Sequence, residues 1–148
     1  MSRPENWIWM PHPGHFICAR DCRFHLNTCV GDFIVSTVGE YEPCIAVQQI
    51  RADSRGIKLV GRGDALRYDA QKKLGYETIG CDRTYETMVF LARPTKNDFD
   101  WQCCPMEVAD HTELDFAGYN TAKDAYDGHL ALCALWAEKK HVPAETVT

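Results

Sequence analysis

A glycine-first two-residue turn, Gly31-Asp32, sits between two runs rich in Phe, Ile, Val and Thr, and it constrains the chain more than any other feature. Such a turn fixes the register of the strands it joins. Setting Val30 opposite Phe33 pairs Thr28 with Val35 and Leu26 with Thr37. Side chains alternate with period two along a strand, so one face carries Cys22, Phe24, Leu26, Thr28, Val30, Phe33 and Val35. The other carries Arg23, His25, Asn27, Cys29, Ile34, Ser36, Val38 and Glu40. The first face is the expected core. The second is expected to be half-solvated, or a working surface. The hairpin belongs to a β-meander spanning His15–Tyr41.

The rest of the chain alternates helix and strand signals. Pro43 suits a first helical turn, and a helix is expected over 44–55 with Cys44, Val47 and Ile50 as its buried stripe and Gly56 as its stop. A short strand over 57–60 follows, then a helix over 64–74 capped by Asp64, then strands over 76–79 and 85–92. Residues 93–101, RPTKNDFDW, read as a linker, followed by a loop. Thr121 and Asp124 form a capping box for a last helix on which Ala125, His129, Leu132, Cys133 and Trp136 share a face. Near the N-terminus, Trp7-Ile8-Trp9-Met10 reads as a strand or lid packed on the domain.

The expected fold class is therefore α+β: a mixed, mostly antiparallel sheet of five to seven strands with two helices, plus a C-terminal helical extension. The expected division is a core with an N-terminal lid over 1–92, a linker over 93–101, and a cysteine-containing loop and helix over 102–148.

A net charge of -5 argues against general nucleic-acid binding. No apolar run is long enough for a membrane span, and no signal-peptide core is present, which gives a cytoplasmic expectation. The eight cysteines are then expected as thiols, as metal ligands or as small buried apolar residues. No P-loop, dinucleotide fingerprint or H-E-x-x-H pattern occurs.

The segment DALRYDAQKKLGYETIG followed by YETMVF, within the strand–strand–helix–strand–helix–strand–strand order of residues 22–92, resembles the GNAT-type N-acetyltransferases. That resemblance implies acyl-CoA-dependent N-acyl transfer. It places acetyl-CoA on backbone amides around Val38, Gly39 and Cys44 at a splayed strand beside a helix N-terminus. Glu40 is then the candidate general base and Tyr68 the candidate acid. The chain departs from the family pattern where the glycine-containing pyrophosphate loop belongs: EYEPCIA stands there, with Glu40 and Glu42 beside the expected phosphates. The wording HFICxxxCRFxL…IVSTVGEY is also similar to uncharacterised small proteins of phages and prophages.

Three other constellations bear chemistry. His129 and Cys133 share a helix face, and with Cys103 and Cys104 they supply the ligand types of a tetrahedral zinc; His111 can replace one cysteine. His12, His15, Cys18, Cys22 and His25 form a second possible ligand set, and the two cysteine groups can alternatively contribute to one site. Cys29 and His25 share a strand face and make a candidate thiol–base pair. The functions these features carry are an N-acyltransferase acting on a protein or small-molecule acceptor, a non-catalytic binding or inhibitor protein stabilised by zinc or by its thiols, or a virion or assembly component.

Overall fold

The computed structural model describes residues 7–12, 21–41, 45–56, 79, 82–96 and 103–141. Among these, five strands and two helices form an α+β unit: β1 (Trp7–Met10), β2 (Cys22–Val30), β3 (Phe33–Tyr41), α1 (Ile45–Ser54), β4 (Tyr85–Pro94), β5 (Met106–Tyr119) and α2 (Ala122–Ala137). The strands make one sheet in the order β1-β2-β3-β4-β5, and every neighbouring pair is antiparallel.

The central hairpin has the register that its turn dictates. Val30 faces Phe33, Thr28 faces Val35 and Leu26 faces Thr37. Gly31 adopts φ +61°, the left-handed value that the first position of this turn demands. Helix α2 packs on the expected core face. Trp7, Val30, Phe33, Val35 and Val89 are buried there with Cys133, and Leu130, Leu132 and Trp136 pack against them. Thr121 caps the helix as the sequence predicts, its hydroxyl accepting from the backbone N–H of Asp124 at 3.1 Å.

The second face differs from expectation. Asn27, Cys29, Ile34, Ser36 and Val38 are all buried, so the middle of the sheet is covered on both sides. Only toward the other end of β2 does this face open, at Arg23 and His25. Met10, Cys29 and Ile34 form its core cluster, with Ala92, Cys104, Met106 and Val108 packed around it.

Two further expectations need correction. The sequence predicts a linker over 93–101 and then a loop leading into the last helix, but Met106–Tyr119 is the longest strand of the sheet, and Arg93 and Pro94 belong to β4. Its pairing with β4 slips between Val89 and Leu91 and again between Leu91 and Ala92, which breaks the period-two pattern that would have announced it. On α1, Ile50 is 68% exposed, while Ala52, about 200° further around the helix, is buried. The expected strand at 57–60 and helix at 64–74 lie outside the described residues, as does all of the expected strand 76–79 except Ile79, which bridges Arg83. Among the described residues, no helix is long and apolar enough to cross a membrane.

Candidate metal centre

Strand β1 ends at Met10, and the two residues that follow are held by side chains of β2. His25 Nε2–H donates to the Pro11 carbonyl at 3.0 Å, and Asn27 Nδ2 donates to the His12 carbonyl at 2.6 Å. These bonds fix the backbone that carries the His12 imidazole. A second anchor forms where the chain enters β5. Thr95 Oγ1 donates to the Cys104 carbonyl at 2.5 Å, and Thr95 N–H donates to the Pro105 carbonyl at 3.0 Å. The Cys103-Cys104-Pro105 segment is thereby tied to the end of β4.

The two anchored segments meet. His12 Nδ1 lies 3.3 Å from Cys104 Sγ and 3.5 Å from Cys103 Sγ. The three ligand atoms lie within 4.8 Å of one another, and among the described residues this is the one group of three or more His, Cys, Asp or Glu side chains close enough to hold a metal ion. A tetrahedral zinc with Zn–S of about 2.3 Å and Zn–N of about 2.0 Å sets its sulfur and nitrogen ligands about 3.5 Å apart. The imidazole–thiol separations already match that spacing.

The expected zinc set is therefore divided. Cys103 and Cys104 come together with His12, while His129 and Cys133 lie under α2 against the sheet. His129 is fully buried, with Thr28 Oγ1 at 2.8 Å from Nε2 and Thr37 Oγ1 at 2.7 Å from Nδ1. Both ring nitrogens are already committed, and burial lowers its pKa to about 4. Burial pushes the Cys133 thiol up to about 12, against a smaller opposing effect of its hydrogen bond with Thr28. A helix face that points two ligand types the same way is also a core face, and here the core takes them. His111, the expected substitute ligand, instead lies beside Phe90, with ring centroids 6.0 Å apart. His15 and Cys18 lie outside the described residues, and Cys22 is buried with Val38 and Ile79.

The expected thiol–base pair is not assembled. Cys29 Sγ contacts the Gly31 carbonyl at 3.5 Å, and His25 is engaged with Pro11. Burial, and then the negative charge of Asp32, push the Cys29 thiol up to about 11, which keeps it protonated and weakly nucleophilic.

Of the residues implicated by the GNAT resemblance, Val38 is buried on the second face of β3 and Gly39 is paired on both sides, with Phe24 and with Tyr85. A Cβ at Gly39 would collide with the Tyr85 ring, so the glycine is what lets the ring lie over the strand. Phe24 meets the same ring edge-on at 5.2 Å. Glu40 adopts φ +55°, and its Oε2 accepts from the Tyr85 hydroxyl at 2.8 Å. Its backbone N–H points to the Thr84 carbonyl at 3.4 Å. Tyr68 and Cys44 lie outside the described residues.

Comparisons with protein-family models, with curated proteins and with solved structures find no match to this chain. The case for function rests on its own geometry.

Proposed function

We propose that this chain is a non-catalytic binding protein built on an antiparallel sheet whose β3 and β4 are not splayed. The observation that carries this reading is the packing of Tyr85 on Gly39 and Glu40. An acyl-CoA wedge needs two strands splayed apart, with unpaired amides around Gly39. In this chain β3 and β4 stay in register from Phe33–Leu91 through Gly39–Tyr85. The backbone N–H of Glu40 is turned to Thr84, and its carboxylate is engaged by Tyr85. The strand end that would receive the cofactor is filled by the chain's own side chains, with a negative charge beside the expected phosphates.

The surface best suited to a polypeptide partner is β1. It is paired on one side only among the described strands, and Ile8 and Trp9 are exposed along it. An edge strand with apolar side chains is suited to accept an added strand.

Isothermal titration of the full chain with acetyl-CoA tests the proposal. No saturable heat is expected at millimolar cofactor. Saturable binding at micromolar acetyl-CoA, with CoA released when amines are added, would restore the acyltransferase reading and overturn this one.

A further inference from the structure

We propose that His12, Cys103 and Cys104 form a zinc site that straps the edge strand β1 to the entrance of β5. Three observations converge on it. The ligand types are two thiols and one imidazole, the donor set that favours zinc over oxygen-seeking cations such as magnesium or calcium. The Sγ–Nδ1 separations, 3.3 and 3.5 Å, are those of neighbouring corners of a zinc tetrahedron. Each ligand segment is also held from behind by hydrogen bonds that do not involve the ligand atoms: His25 and Asn27 on one side, Thr95 on the other. A site whose ligands are positioned by such supports loses little freedom when the ion arrives.

His12 is exposed and the two cysteines are partly so, which leaves a fourth corner accessible to water. Binding displaces the two thiol protons, and the ion takes the sulfur lone pairs together with the Nδ1 lone pair. Nε2 of His12 then carries the ring proton.

The placement says what the ion would do. Strand β1 has four residues and pairs with β2 alone among the described strands. Yet Trp7 enters the core under α2, and Met10 enters the core on the opposite face. A bond across 91 or 92 residues of chain, from just beyond β1 to just before β5, holds a strand that closes both cores.

The test uses the full chain, reduced and then supplied with zinc, with bound metal counted by native mass spectrometry. One zinc per chain is expected. The substitutions His12→Ala, Cys103→Ser and Cys104→Ser should each weaken zinc binding at least tenfold, whereas Cys133→Ala should retain it. Circular dichroism establishes that each variant is folded. Cobalt loading gives a second measurement, because sulfur-to-cobalt charge-transfer absorption should appear in the wild type and diminish in either serine variant. Hydrogen exchange at Trp7–Met10 should accelerate on chelation. A reduced wild type that takes up no zinc, or zinc retained in both His12→Ala and Cys104→Ser, would overturn the site. Exchange in β1 that ignores chelation would overturn the strap.

Discussion

Thr37 Oγ1 lies 2.7 Å from Nδ1 of His129 and links the C-terminal helix to the centre of the sheet through a buried polar contact. Thr28 engages the other ring nitrogen, and Thr37 continues to Thr87 at 2.5 Å. A neutral imidazole has one donor and one acceptor nitrogen, so one hydroxyl donates to it and the other accepts from it. The helix is thereby fixed in register on the sheet, and burial of the ring favours its neutral form.

Stability should therefore depend on pH. His129 takes up its proton at about 4 when folded, and at about 6.5 when the chain is unfolded. Between these values the unfolded chain binds the extra proton. The contribution is whole above pH 6.5, falls as the pH drops toward 4, and changes no further below that. The span corresponds to about 3 kcal/mol. Urea unfolding of wild type and His129→Leu at pH 7, 5.5 and 4.5 checks this. The variant should lose about 1–3 kcal/mol at neutral pH and show a flatter profile across the acid range.

Gly39→Ala should destabilise the fold by about 1–3 kcal/mol, because the new methyl group meets the Tyr85 ring held between Phe24 and Glu40. The clash disappears if the ring is removed. In a double-mutant cycle read by thermal unfolding, Gly39→Ala should cost much less in a Tyr85→Ala background. Additive losses would mean that the ring does not lie on the glycine.

Trp136 joins α2 to β5: its Nε1–H donates to Asp115 Oδ2 at 2.9 Å, and its ring meets Phe33 edge-on at 4.9 Å. Trp136→Phe keeps the aromatic contact and loses the hydrogen bond to a charged acceptor, for an expected cost of about 1.5–3 kcal/mol. Asp115→Asn, which keeps an acceptor, should cost less. Chemical denaturation of the two variants distinguishes them.

The thiols should fall into two classes toward an alkylating reagent. Cys29 and Cys133 are buried, with pKa values pushed up to about 11 and about 12, and should be labelled only on unfolding. Cys103 and Cys104 are partly exposed and should be labelled in the folded chain. Among the described thiols, zinc should protect these two alone. Peptide mapping after timed labelling gives the measurement.

How much of this was legible follows from the range of each signal. The β2–β3 register was readable residue by residue, because a two-residue turn and a strict alternation leave one solution. The cap of α2 was readable for the same local reason. Strand β5 was hidden by its acidic residues and by two register slips opposite β4, which shift its inward side chains out of phase. Burial of the second sheet face depends on what packs there, and alternation alone does not encode that. The ligand set was half legible. Cys103 and Cys104 stood out as adjacent thiols, whereas their partner His12 lies 91 and 92 positions away and carries no spacing signal toward them. His129 and Cys133 carried a spacing signal, but the same i, i+4 geometry serves a core face, and the three sheet threonines that occupy the imidazole network could not be read from the helix.

The most direct test of the metal centre is X-ray absorption at the zinc edge of the loaded chain. Two sulfur neighbours at about 2.3 Å and one imidazole nitrogen at about 2.0 Å are expected, with a light fourth ligand. Cys104→Ser should remove one sulfur. A first shell made only of nitrogen and oxygen, or one with four sulfurs, would contradict the account.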